Sequence, residues 1–257
     1  ESVVKRLLGC IGSGNDTTIT KANALAALMN GAVENATTPT AVVQSVRSEL
    51  VKHGAVSLLL IMLGTSTYST QLGEREEILV RAAGLLARCA LDPDGVKKLR
   101  EEAAFPLLAE ITASSSGVIL GHLVRTVAVC GKDGDAKLTK ILREKNVVAV
   151  LAKTMADGAS LGMKLKKDEK MCTLMGNTCK ALIPVVKDAE GPAMDELRSL
   201  GIANSVIEVL KNCEVAAVRK NAAIVLARIA RNSKLGPEVR ALRGVEILMS
   251  LQKDLGV

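Results

Sequence analysis

The chain has 257 residues and is 48% hydrophobic, yet it contains one Phe, one Tyr and no Trp. Its 34 Lys and Arg residues outnumber its 27 Asp and Glu residues, which gives a net charge of +7. This charge suggests an acidic partner, but it is too small to indicate nucleic-acid binding by itself. No apolar run reaches the roughly 18 residues that span a bilayer. A core without aromatic residues consists of Leu, Val, Ile and Ala, which favours many thin helix–helix contacts.

The first predicted elements are helices, each with one apolar face. A short helix spans residues 2–11, a longer one spans 17–33 and a third spans 42–52. A further helix opens at Gly54 with the sequence Gly-Ala-Val-Ser-Leu-Leu. Apolar residues recur in all four at the spacing that one face of a helix requires.

The helix opening at Gly54 recurs along the chain. Similar openings start at residues 54, 103, 146, 201 and 244, which are separated by 49, 43, 55 and 43 residues. Three helices fit into each interval, and a period of this length is typical of helical repeat arrays. Each of the two longer intervals contains an extra segment, residues 64–73 and 157–170, between its second and third helices. We expect both segments to be solvated loops on the same rim.

The third helix of the unit is clearest at Ala216–Asn232, where apolar residues recur at spacings of three and four. Val80–Ala90 matches this stretch almost residue for residue, and Ala24–Ala32 fits the same frame. Two adjacent small residues, Ala222 and Ala223, are predicted to allow a neighbouring helix to pack very close. The chain therefore contains an internal sequence repeat.

These patterns resemble the armadillo repeat family, in which the second helix opens Gly-Ala-Val-x-x-Leu and the third has the form Ala-Ala-x-x-Leu-x-Asn-Leu-Ala. The clearest matches are Val51–Val56 and Ala22–Ala32. HEAT repeats, with two helices per unit, are the nearest rival. The resemblance implies an all-α fold, a right-handed α-α superhelix (solenoid) of about five three-helix repeats. It implies a single domain over residues 1–257, expected to be a piece of a longer array, with units near 1–53, 54–102, 103–145, 146–200 and 201–257.

The resemblance also implies a concave groove lined by the third helices. In that family an Asn on each third helix typically holds the backbone of an extended peptide, because an amide both donates and accepts hydrogen bonds. Only Asn30 keeps this residue, and no Trp accompanies it, which argues against binding of a basic peptide. Polar residues in register on the same face predict the groove wall, although a helix with one solvated face would show the same pattern. The candidate partner-binding residues are Asn23, Asn30, Arg81, Arg88, His122, Arg125, Asn177, Lys180, Asn221 and Arg228.

The sequence contains no catalytic or metal-binding motif that we recognise. Its six cysteines form no Cys-x-x-Cys pair, and they are typical of small buried residues in a reducing compartment. The two histidines, His53 and His122, have no Ser, Asp or Cys partner in a motif. We therefore expect no catalytic residues, no metal, no cofactor and no enzyme activity.

The sequence predicts a non-catalytic protein–protein interaction scaffold that binds an extended acidic or mixed-charge segment in its groove. A cytoplasmic location is expected, with cytoskeletal, ciliary and nuclear locations left open. One alternative is an armadillo-built chaperone or co-chaperone, similar to those that act on myosin or axonemal motors. Nucleic-acid binding by the basic face is a second alternative, disfavoured because aromatic residues for base stacking are absent.

Overall fold

The computed structural model describes residues 2–34, 38–66, 73–101, 103–132, 134–187 and 190–255. These residues form sixteen α-helices and one 3-10 helix, with no β-strand among them. In this part of the chain no helix is both long and apolar enough to cross a bilayer. The helices are α1 (Val3–Gly12), α2 (Thr18–Gly31), α3 (Thr40–Lys52), α4 (Ala55–Ser66), α5 (Gly73–Cys89), α6 (Pro93–Leu99), α7 (Ala104–Ser114), α8 (Gly117–Cys130), α9 (Ala136–Glu144), α10 (Val147–Ser160), the 3-10 helix (Gly162–Lys167), α11 (Glu169–Val185), α12 (Pro192–Ser199), α13 (Ile202–Asn212), α14 (Ala216–Ile229), α15 (Leu235–Ala241) and α16 (Gly244–Leu255).

The recurring helix openings lie where the sequence predicted them. The second helices of the repeats, α4, α7, α10, α13 and α16, begin at Ala55, Ala104, Val147, Ile202 and Gly244. Left-handed backbone precedes four of these starts, at Gly54 (φ +82°), Asn146 (φ +60°), Gly201 (φ +67°) and Arg243 (φ +58°). Glycine adopts this conformation without a steric penalty. The corner between the first and second helices therefore explains why Gly54 and Gly201 are glycines.

Residues 1–130 form one compact unit. Within it the third helices α2, α5 and α8 pack side by side, with α5 in the middle. Leu25, Leu86 and Leu123, one from each helix, are fully buried. Ala82 and Ala83 of α5 are also fully buried, and their small side chains let the neighbouring helices approach closely.

Residues 131–257 form a second compact unit. Here α11 packs against α14, and α10 packs against α13. Ala222 of α14 is fully buried, but Ala223 is only half-buried. Of the two alanines predicted to lie in a close helix contact, only Ala222 is fully enclosed.

The segment 157–170 is largely helical, so its prediction as a loop is wrong, although most of the side chains from residue 163 to residue 170 are exposed as predicted. Helix α10 continues to Ser160, the 3-10 helix follows, and α11 begins at Glu169. Leu165 is fully buried, and the Lys166 ammonium lies 2.7 Å from a carboxylate oxygen of Glu214. The buried Leu165 side chain and this ion pair hold the segment against the helices.

The other predicted loop, residues 64–73, is shorter than expected at both ends. Helix α4 extends to Ser66, and α5 begins at Gly73. Residues 67–72, including Tyr68, lie outside the described residues.

All six cysteines are free thiols, as the sequence predicted. Five are buried, including Cys213, and Cys10 is half-exposed. Burial raises the pKa of both the Cys89 and the Cys130 thiol to about 12. These two side chains therefore stay neutral and behave as small hydrophobic residues.

Candidate functional site

The three neighbouring third helices of residues 1–130 carry six of the ten predicted groove residues. Helix α2 contributes Asn23 and Asn30, α5 contributes Arg81 and Arg88, and α8 contributes His122 and Arg125. Residues three, four or seven apart lie on one face of a helix, so each pair is presented from the same side. The two asparagines are exposed, and the four basic residues are partly buried.

Three arginines and one histidine form what we call the basic cluster, namely Arg47, Arg88, His122 and Arg125. Burial lowers the pKa of the Arg88 guanidinium, and the positive charges of Arg125 and Arg47 lower it further. The Nε atom of Arg88 is buried and has no hydrogen-bond partner among the described residues. The negative charge of Glu34 raises the pKa of Arg88 and so opposes this shift. The cluster thus concentrates positive charge at a partly buried site.

His122 is the uncharged member of the basic cluster. Burial lowers its pKa, and Arg88 and Arg125 lower it further by repelling a proton. The imidazole lies close to the backbone of α5, since a Cβ placed on Gly84 would be 3.5 Å from His122 Nε2 and 2.9 Å from Met29 Sδ. A neutral imidazole offers one donor and one acceptor, so His122 can complement a peptide backbone without adding charge.

Arg47 of α3 was missed among the predicted site residues. It is only 7% exposed, and its Nε donates a hydrogen bond to the Ala32 carbonyl oxygen at 3.0 Å. Its Nη1 lies 3.2 Å from Glu34 Oε1. The signal was present in the sequence, because Arg47 occupies an apolar-periodic position between Val43 and Leu50. A basic residue on a buried face indicates a specific role.

Two of the predicted groove arginines hold neighbouring repeats together. Arg81 donates from Nη1 to the Ala22 carbonyl oxygen of α2 at 2.6 Å, and it also pairs with Glu77. Arg228 of α14 donates from Nη1 to the Ile183 carbonyl oxygen of α11 at 2.5 Å. Both bonds join the third helix of one repeat to the third helix of the repeat before it.

The Ile183 carbonyl lies in the last turn of α11, where carbonyls lack intrahelical donors. The nearby amides are already engaged, because Val186 N–H donates to Leu182 O and Lys187 N–H donates to Pro184 O. A cation at a helix C-terminus also interacts favourably with the helix dipole. Arg228 therefore serves as a cap supplied by the next repeat.

The remaining predicted residues lie in the second unit. Asn177 and Lys180 belong to α11, and Asn221 belongs to α14 beside Arg228. Lys180 is exposed, whereas the two asparagines are half-buried. Because α11 and α14 pack together, these four side chains occupy adjacent helices of the second unit.

The described residues contain no cluster of three His, Cys, Asp or Glu side chains that could hold a metal ion. His53 is the C-cap residue that follows α3, and its Nε2 lies 3.0 Å from Glu49 Oε2 of that helix. Arg88 and Arg125 both lie near enough to His122 to lower the pKa of its imidazole.

No family model matches the sequence, and no curated protein matches it. Solved structures do match its fold. A designed armadillo repeat protein aligns with a TM-score of 0.69 and 19% identity over 97% of this chain and 92% of that one. The chain has an armadillo-like repeat fold. The predicted all-α armadillo architecture is confirmed.

Further solved structures match the armadillo-like chain with similar coverage. A designed armadillo repeat protein in complex with the peptide (KR)4 gives a TM-score of 0.67 at 18% identity, covering 98% of this chain and 92% of that chain. A structure of computationally designed armadillo repeat proteins for modular peptide recognition gives 0.61 at 19% identity, over 88% and 81% of the two chains.

Proposed function

We propose that this armadillo-like chain is a non-catalytic scaffold that binds an extended acidic or mixed-charge protein segment. The main contact is the surface formed by α2, α5 and α8. The observation that carries the proposal is the basic cluster, in which the half-buried Arg88 has no hydrogen-bond partner at Nε among the described residues and lies near two further arginines. Like charges crowded in this way are destabilising unless an anion neutralises them.

The fold supports binding of a peptide, since proteins of this fold have been designed for modular peptide recognition. One designed relative in fold binds the basic peptide (KR)4. The surface formed by α2, α5 and α8 carries Arg81, Arg88 and Arg125 on two of these helices. It would repel such a peptide and attract one of opposite charge.

Carboxylates are well suited to this surface. A guanidinium presents its donors as a planar fork that matches a carboxylate. Hydrogen bonds of this charge-assisted kind contribute about 1.5–3 kcal/mol each. The exposed amides of Asn23 and Asn30 on the adjacent helix α2 could hold the backbone of the same segment.

The free thiols support a reducing, cytoplasmic setting, because disulfides are rare where glutathione keeps thiols reduced. In such a setting the partner is a protein segment of the cytosol or cytoskeleton. Capture of acidic proteins from the source cell, compared between the wild type and the variants below, would identify it.

The proposal is tested with a fluorescein-labelled peptide of alternating Glu and Ser, with fluorescence anisotropy as the readout. The double variant Arg88→Glu/Arg125→Glu should weaken binding by at least about 30-fold, the equivalent of one lost charge-assisted contact. Arg228 and Arg81 are unsuitable for this test, because they bond to the backbone of a neighbouring helix.

The matched control is Lys164→Glu/Lys167→Glu in the 3-10 helix, which changes the net charge by the same amount at two exposed lysines. Binding by this control should stay within about threefold of wild type, since exposed charges act weakly through water. Equal losses from both double variants would show that net charge alone attracts the peptide. Loss from the control alone would place the binding surface on the rim and refute the assignment.

A further inference from the structure

Two cysteine side chains lie against each other in the interior of the second unit. Cys172 is in the first turn of α11, and Cys213 directly follows the last residue of α13. The Cys213 thiol donates to Cys172 Sγ with the two sulfurs 3.6 Å apart. The residues are 3% and 2% exposed, respectively. Since a disulfide bond is about 2.05 Å long, the sulfurs need to approach by roughly 1.5 Å to form one.

The surroundings explain why the pair is stable in its reduced form. Burial raises the pKa of Cys172 to about 11, and the adjacent Cys213 contributes to the rise. The Cys172 thiol also donates to the Leu165 carbonyl oxygen of the 3-10 helix at 3.2 Å. Both sulfurs therefore have polar neighbours in the interior.

The third buried cysteine of this unit, Cys179, contacts a methionine and not another cysteine. Cys179 lies two turns further along α11, and its thiol contacts the Met155 thioether at 3.8 Å. A thioether cannot form a disulfide. Cys179 is therefore a control within the same protein, because it is buried like Cys172 and Cys213 but has no thiol beside it with which to form a disulfide.

We propose that Cys172 and Cys213 form a reversible disulfide that links α11 to the end of α13 when the protein encounters hydrogen peroxide. One thiol, as its thiolate, attacks a peroxide oxygen and becomes a sulfenic acid, and the displaced hydroxide leaves as water. The second sulfur then attacks the sulfenic sulfur, the S–O bond breaks, and a second water leaves. In total two thiols lose two electrons and two protons, and one peroxide is reduced to two waters.

The bond would change the second unit in two ways. It closes a loop of about 40 residues, and closing such a loop restricts the unfolded chain. It also removes the S–H donor from the Leu165 carbonyl, so the 3-10 helix loses one of its links to α11. Oxidation would therefore stabilise the second unit and loosen the lysine-bearing segment beside it.

The experiment treats the full chain with hydrogen peroxide, blocks remaining thiols with N-ethylmaleimide in denaturant, and maps tryptic peptides by mass spectrometry. Trypsin releases residues 171–180, which carry Cys172 and Cys179, and residues 212–219, which carry Cys213. The expected product is these two peptides joined with the loss of two hydrogens and separated again by dithiothreitol. The oxidised protein should melt at least about 5 °C higher than the reduced protein.

Single variants decide which sulfur of peptide 171–180 takes part. Cys172→Ser and Cys213→Ser should abolish the linked peptide, and Cys179→Ser should retain it. Circular dichroism checks that each variant folds, and Cys172→Ala replaces the serine variant if the added hydroxyl disrupts the core. A link that persists without Cys172, or its absence in wild type after the half-exposed Cys10 has been fully oxidised, would overturn the proposal.

Discussion

At the scale of the residue, arginines on the third helices of this chain have two different environments. Arg228 and Arg88 occupy the same position of the repeat, yet Arg228 caps the Ile183 carbonyl of the preceding third helix, and Arg88 Nε is buried with no hydrogen-bond partner among the described residues. The repeat pattern predicts the position and the charge of both residues. It cannot show which arginine bonds to the neighbouring helix, because that depends on which carbonyl of the neighbouring helix is free.

This difference predicts opposite effects on stability. Arg228→Met keeps the apolar stem but removes a charge-assisted hydrogen bond, so the free energy of unfolding should fall by about 1.5–3 kcal/mol. Arg88→Met should leave the free energy of unfolding unchanged or raise it, since it removes a half-buried charge and an unpaired donor. Urea denaturation measures both values. A larger loss from Arg88→Met than from Arg228→Met would reverse the assigned roles.

His122 makes stability dependent on pH in a predictable direction. Burial and the arginines lower its pKa in the folded protein, so between that value and the ordinary value of about 6.5 the unfolded chain binds more protons than the folded chain. Stability should therefore be complete above about pH 6.5, fall as the pH drops toward the folded pKa, and level off below it. His122→Gln should remove this part of the pH dependence in denaturation curves.

The pKa of His122 can also show whether the proposed acidic peptide binds next to this residue. An acidic peptide bound at the basic cluster would place negative charge near His122 and raise its pKa, which NMR titration of the imidazole measures. Arg88→Met should also raise it, because a repelling charge is removed. If the peptide binds and the pKa of His122 stays constant, the peptide lies elsewhere.

At the scale of the helix, the sequence predicted which segments are helical better than which side chains are enclosed. Apolar spacing located the third helices, because the same face must pack in every repeat. It did not separate Ala222, which is fully buried, from its half-buried neighbour Ala223. It also failed at residues 157–170, where a Gly- and Lys-rich composition typical of a loop conceals the buried Leu165.

The two alanines provide a test of helix packing in α14. Ala222→Leu inserts three carbons into a close contact and should lower the free energy of unfolding by about 1–3 kcal/mol, which corresponds to several degrees in melting temperature. Ala223→Leu, the matched control, should cost clearly less because its side chain is partly exposed. Calorimetry of the two variants compares them directly. Equal losses would mean that the helix is rotated from the orientation described above.

At the scale of the whole chain, the recurring helix openings predicted a helical repeat array, and the resemblance of the motifs to armadillo repeats implied the armadillo-like fold that the structure shows. Each unit repeats the same corner and the same packed face, so local pattern and tertiary structure agree. The single array over residues 1–257 stays a prediction, as do the ten groove residues. The candidate site was harder to predict than the fold. Arg47 belongs to α3 and Glu34 to the segment between α2 and α3, so neither lies on a repeating third helix.

The net charge of +7 keeps one alternative function open, and salt dependence separates it from the proposed one. A protein that neutralises six to ten phosphates of duplex DNA loses about 10³–10⁵ in affinity between roughly 50 and 200 mM salt, because condensed counterions are released on binding. A peptide held by the few ion pairs of a half-buried cluster should lose far less, since such pairs are only weakly screened.

Titrations of the labelled Glu–Ser peptide and of a labelled DNA duplex across this range make the comparison. We expect the peptide to stay bound at the higher salt concentration and the duplex to dissociate, and Arg88→Glu/Arg125→Glu to affect the peptide more than the duplex. If the duplex binds more tightly at both concentrations and the cluster variant abolishes its binding, the basic cluster serves nucleic acid instead.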